Sequence, residues 1–268
     1  MYEAGSPAEL LEIGDRLQAR GGRGLLISGG SLADGTVPLH DFLEAIAELK
    51  NRGFSIAVHT GLVDERLARG LAVAGIDIAM IDIIGDDGTI RDVYHLDATA
   101  ADFENSLRLL CESGVKTAPH VVIGLNFGKI KGEAAALDMI SRHAVASLVL
   151  VVLTSQPGTP MQDIAPPSPE EVGELFLKAR LQFPELPILL GCARPYGEHK
   201  LRTDALALKS GLNGIAYPAE GIVELASDLG LEPGFSEQCC ALIYQEDMKD
   251  DSDEKMASAG HGSADGDG

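Results

Sequence analysis

Polar residues and glycines recur immediately after short apolar runs. They are Ser28, Gly29 and Gly30, then His59 and Thr60, Asp82, His120, Thr154 and Gln156, Arg194, and Tyr217. Imidazoles at His59 and His120 suit proton transfer or ligation, because histidine changes charge near neutral pH. Arg194, followed by Glu198, His199 and Arg202, could grip a substrate carboxylate through a two-pronged guanidinium contact. The Ser28-Gly29-Gly30-Ser31 turn lets the backbone approach a ligand closely, since glycine has no Cβ to hold it off. Of the four cysteines, Cys111 sits among apolar neighbours and reads as a packed small residue. Cys192 with the Cys239-Cys240 pair is the one combination that could form an auxiliary iron or sulfur site, though with few ligands. No pair of cysteines has the spacing of a zinc knuckle.

Such residues act together only if the backbone gathers them. Seven short, nearly continuous apolar runs, at 24–28, 55–59, 76–82, 117–124, 147–154, 187–192 and 214–217, read as strands buried on both faces. Stretches of helical period fill the intervals at 7–20, 39–52, 64–73, 99–113, 132–143, 169–182, 200–210 and 220–229. Alternation of this kind predicts successive right-handed βα units, hence an α/β fold of the parallel (β/α) TIM type. Eight helices against seven strands, with a helix first, implies a barrel missing its first strand. Its active site is expected at the carboxyl ends of the strands, where the residues above lie. The barrel is expected to span residues 1–244. Residues 245–268, with eight acidic and two basic residues among Ser, Gly and Ala, are expected to form a disordered tail.

Gln156-Pro157-Gly158-Thr159-Pro160-Met161 leaves a strand of pure Val and Leu. This P-G-T-P run resembles that of biotin synthase and related radical S-adenosylmethionine (SAM) enzymes, including the archaeal lipoyl-synthase-like branch. Gly29-Gly30 is similar to the first two positions of their G-G-E motif, which receives the methionyl amine of SAM, and Ser31 stands in place of the glutamate. The resemblance runs from about Pro7 to Leu231. It implies SAM contacts at Ser28, Gly29, Gly30, Asp82, Gly124 and Gln156, with His59, His120 and Arg194 facing substrate. It further implies a [4Fe–4S] cluster, held in the family by C-x-x-x-C-x-x-C, a loop that nothing in the 268 residues matches. The auxiliary-cluster cysteines of biotin synthase would fall near Ala57 and Ala118. The expected reaction is C–H activation, with sulfur insertion one form of it, on a small-molecule or lipoyl/acyl-type substrate. The resemblance implies such an enzyme or a truncated form of one, and two alternatives stand beside it. One is a cluster-free partner of a radical SAM paralogue subunit, and the other is a non-radical barrel lyase or aldolase, which would want a lysine or metal set at strand ends.

A net charge of −20 gives nucleic acid no electrostatic footprint. No run approaches the roughly 18 apolar residues of a membrane span, and the first twelve residues carry no basic-then-apolar leader pattern. A cytoplasmic protein in a reducing compartment is expected.

Overall fold

The computed structural model of this chain describes residues 2–242. The expected tail at 245–268 lies outside them. Seven strands form one parallel sheet in sequence order: β1 (Gly24–Ile27), β2 (Ser55–Thr60), β3 (Ile78–Asp82), β4 (Thr117–Ile123), β5 (Leu148–Val152), β6 (Ile188–Leu190) and β7 (Gly214–Ile215). The sheet curls as a TIM-type barrel does and stays open, with β1 and β7 as its edges among the described residues. Each neighbour is offset in a regular parallel register, for example His59 beside Met80 and Asp82 beside His120. All the strand carboxyl ends therefore share one rim.

The helices lie between the strands: α1 (Pro7–Gln18), α2 (Leu43–Asn51), α3 (Glu65–Ala74), α4 (Asp87–Thr89), α5 (Ala100–Glu112), α6 (Glu133–Ile140), α7 (Pro169–Gln182), α8 (Glu198–Lys209) and α9 (Ile222–Asp228). Local chemistry sets their ends. Ser168 caps α7, its hydroxyl accepting from the Glu171 amide while the Glu171 carboxylate reaches back to the Ser168 amide. Gly75 closes α3 in the left-handed region, at φ 70°.

Burial on both faces explains why the strands read as unbroken apolar runs. Outward residues such as Ile56, Val58, Ile81, Ile123, Leu150 and Leu190 join the helices in the main core. Inward residues Ala57, Ile78, Met80, Ala118, Val149, Val151 and Leu189 form a second cluster inside the barrel. Its alanines leave space, and the chain fills it. The turn Cys240–Leu242 joins this inner cluster, with Ala241 and Leu242 buried at 3% and 2% exposure and Cys239 packed against it.

The eight expected helices are present, and α4 is one more. It begins at the cap Asp86, whose carboxylate accepts from the Thr89 amide at 2.6 Å, and runs into a π-helical turn at Ile90–Tyr94. No helix among the described residues is long and apolar enough to cross a membrane.

Candidate functional site

Strand alternation aims His59 of β2, Asp82 of β3 and His120 of β4 into the barrel, one pleat above Ala57, Met80 and Ala118. The His59 Nε2 lies 3.5 Å from Asp82 Oδ1, an ionic contact too long for a good hydrogen bond, so that this buried nitrogen has no hydrogen-bond partner. The second Asp82 oxygen accepts from the Tyr94 hydroxyl at 3.1 Å. His120 donates from Nδ1 to the Ala118 carbonyl at 3.1 Å, which fixes its proton there and leaves Nε2 as the acceptor. The two imidazole rings are 5.3 Å apart.

These groups set each other's charge. Burial works against ionising His59, but the Asp82 carboxylate outweighs it and holds the imidazole above the usual histidine pKa. Burial likewise pushes Asp82 up, and the imidazoles with the Tyr94 hydroxyl bring it below the usual carboxylate value. For His120 burial outweighs the Asp82 charge and the Ala118 carbonyl, which both favour its cation, and His59 adds to the effect, so it is driven down to about 4 and stays neutral near pH 7. Tyr94 is pushed well up, first by burial and then by the Asp82 charge, so it remains a hydroxyl donor. The result is a facing pair, His59 with Asp82, in which the imidazole protonates more readily than a free histidine, beside one neutral base, His120.

A cavity of about 140 Å³ opens at this rim, and Ser28, Gly29, Ser31, His59, Thr60, Asp82 and Tyr94 are among its lining residues. Gly29 sits where a Cβ would come within 2.9 Å of Val37, while Gly30 faces open space. The structure thus brings Ser28, Gly29, His59 and Asp82 to one cavity, with His120 adjoining.

Other expected residues lie elsewhere on the rim. Gly124 follows β4 at φ 82°, and any side chain there would run into the Pro167 ring. Its amide donates to Glu133 Oε1 at 2.8 Å, so the turn is held from within the protein. Burial lifts the Glu133 carboxyl pKa, and its second oxygen has no hydrogen-bond partner. Gln156 is exposed, and its carbonyl accepts from Thr159 to close the Pro157-Gly158 turn. Cys192 is exposed beyond β6, while the side chain of Cys240 lies outside what the structure describes. Among the described residues, no three His, Cys, Asp or Glu side chains assemble as a metal site.

Arg194 corrects the sequence reading most clearly. Its guanidinium is 1% exposed and forks onto Asp204, at 2.6 Å to Oδ1 and 3.1 Å to Oδ2. It also donates to the Gly191, Ala216 and Tyr217 carbonyls. Those protein acceptors take the place of a substrate carboxylate, and Arg194 ties the end of β6 to α8 and β7. His199 and Arg202, grouped with it by sequence, instead reach the Pro167 carbonyl and Glu170.

Sequence reasoning missed Tyr94, Glu133 and Asp204. Tyr94 had a usable signal in the Asp86-x-x-Thr89 capping pattern, which starts the segment that carries it. Asp204 had another, a lone acid on a helix face beside Thr203 and Ala207, all fully buried.

No family model matches the chain. Curated proteins that resemble it are biotin synthases. That of Chromohalobacter salexigens is 27% identical over 180 residues, covering 65% of this chain and 46% of the relative. The biotin synthase of Alkalilimnicola ehrlichii is 25% identical over 218 residues, covering 76% and 63%. That of Buchnera aphidicola is 28% identical over 182 residues, covering 65% and 50%. The chain therefore spans about half to under two thirds of these relatives' length. Among solved structures, HydG, a maturase of the [FeFe]-hydrogenase, superposes with a TM-score of 0.60 at 13% identity, covering 80% of this chain and 50% of HydG. Methylornithine synthase (PylB) gives 0.58 at 16%, covering 85% and 73%. The HMG-CoA lyase of Brucella melitensis also gives 0.58 at 16%, covering 87% of each chain, so the barrel alone does not choose a chemistry. In sequence the chain thus resembles biotin synthases over most of its folded part, and in fold it resembles HydG and methylornithine synthase.

Proposed function

We propose that this barrel binds S-adenosylmethionine at its strand-end mouth and serves a radical SAM-type C–H activation. One observation carries the reading: the cavity lined by Ser28, Gly29, His59, Asp82 and Tyr94 lies at the strand ends of a biotin-synthase-like chain. At about 140 Å³ it is smaller than the roughly 300 Å³ of a small ligand pocket, so one end of SAM enters it and the rest lies along the open rim. The exposed Gly29-Gly30 backbone meets the methionyl amine, and Asp82 supplies a carboxylate to the ribose. His120, neutral and with Nε2 accepting, is the group that can take a proton near the substrate.

The cysteines present do not fit the family's SAM-binding cluster. They stand at 111, 192, 239 and 240, with no C-x-x-x-C-x-x-C among the 268 residues, and no step is assigned to a cluster. Sulfur insertion from an auxiliary cluster has no support either. By the resemblance its cysteines would fall near Ala57 and Ala118, which carry no thiol and share one inward cluster with Ala241 and Leu242. A second reading is that the barrel partners a cluster-bearing subunit, which would supply the thiolates that these 268 residues do not carry.

Calorimetric titration with SAM tests the proposal. The expected dissociation constant is about 1 mM or tighter, and Gly30→Ala, whose added Cβ meets nothing within the fold, weakens binding by about tenfold. A wild-type chain that releases no heat with SAM would turn the assignment toward the partner reading.

A further inference from the structure

Small side chains at Ala57 and Ala118 leave room inside the barrel, and what fills that room is not one of its strands. Ala241 and Leu242, carried on the short turn Cys240–Leu242, complete the inner cluster with Met80, Val149 and Leu189. The space they occupy is apolar and lies one pleat below His59, Asp82 and His120. A methyl and an isobutyl group of the chain itself thus sit where a barrel of this kind has its lumen.

The turn belongs to neither layer of the fold. Residues 229–239, between α9 and the turn, form no helix or strand, and Phe235 among them is 81% exposed. The Leu242 amide donates to the Cys239 carbonyl at 2.8 Å, which closes the turn on itself. Its cover of the lumen is also incomplete. Leu26 lies beside Ala57 in the register of β1 and β2, so the two face the same interior, yet Leu26 is 55% exposed and Ala57 is 0% exposed. The lumen is therefore open along β1, next to the seat of the turn.

We propose that Ala241 and Leu242 form a built-in plug on a binding site for a short, uncharged aliphatic chain, which enters past Leu26 and displaces the turn. Ligand and plug compete for one space, so the apparent affinity scales with the fraction of molecules in which the turn has left. Whatever weakens the seating of Leu242 raises that fraction and tightens binding by the same factor. A charged chain is excluded, because the apolar seat would strip its water and return no partner. This assignment stands whether or not the rim above binds SAM.

Calorimetric titration of the full chain with 1-hexanol tests it, together with alkylation of Cys239 by iodoacetamide, read by mass spectrometry. Cys239 packs against the inner cluster beside the turn, so its rate reports how often the turn leaves. Saturating 1-hexanol is expected to speed Cys239 alkylation at least about threefold. The exposed Cys192, and Cys111 against the main core, keep their rates, which separates release of the turn from general loosening. Hexane-1,6-diol has no effect, since its second hydroxyl would be buried without a partner. In Leu242→Ala, Cys239 alkylation without ligand rises about fivefold and 1-hexanol binds more tightly by the same factor. Ala118→Leu fills the seat, so it speeds Cys239 alkylation and abolishes 1-hexanol binding. Equal affinity of wild type and Leu242→Ala for 1-hexanol would overturn the assignment, as would a Cys239 rate that ignores saturating 1-hexanol.

Discussion

At the scale of single residues, neighbours decide what each side chain can do. Two histidines two strands apart face the same space, yet Asp82 favours the charged form of one and burial keeps the other neutral. A linkage consequence follows for His120. An ordinary histidine in the unfolded chain titrates near 6.5, so between about pH 6.5 and 4 the unfolded state takes up the proton first. Stability is unaffected by this group above about pH 6.5 and falls as the pH drops through that window. The loss is at most about 3 kcal/mol, smaller in practice because the ring is only half-buried. Urea melts of wild type and His120→Gln between pH 7 and 4 check this, with the variant expected to give the flatter curve. Arg194 teaches the converse lesson about sequence. Its position at a strand end was legible, but its partner Asp204 lies ten residues on in a helix, and no local pattern reports which acceptors a guanidinium will find.

Among the elements, the strand order and nearly every helix were readable because burial on both faces leaves an unbroken apolar run, and helices between them keep a 3.6-residue period. Ends were less readable. The runs at 147–154 and 187–192 yield strands only at Leu148–Val152 and Ile188–Leu190, since ladder pairing stops before the apolar sequence does. The short α4 was missed because three residues carry no period, and only its cap announces it. Where β6, β7 and α8 meet, the Arg194–Asp204 pair replaces apolar packing, and Asp204 also accepts from the Ala219 amide at 2.8 Å. Removing one partner leaves a buried charge uncompensated. Asp204→Ala is therefore expected to lower unfolding free energy by about 3–5 kcal/mol in denaturant titrations, and the double change Arg194→Met with Asp204→Leu to recover much of it. Full retention of stability in Asp204→Ala would contradict the role given to this pair.

For the whole molecule, parallel order is what converts scattered sequence positions into a site, since it places every strand's carboxyl end on one rim. The lumen then divides the molecule by height. Small residues at Ala57 and Ala118 admit the chain's own Cys239, Ala241 and Leu242 below, and the His59–Asp82 pair with its cavity lies above. That inward turn of the chain was not legible, because Cys239 through Leu242 has no strand or helix period and its burial depends on space left by distant alanines. A rim that an HMG-CoA lyase and methylornithine synthase both build can host many ligands, so the decisive observation is whether SAM binds, and where. Hydrogen exchange read by mass spectrometry, with and without saturating SAM, locates it. Slower exchange in residues 29–36 and 83–97 is the predicted result. Unchanged exchange there, or protection only around Asp77 and Lys116 at the opposite rim, would contradict the account.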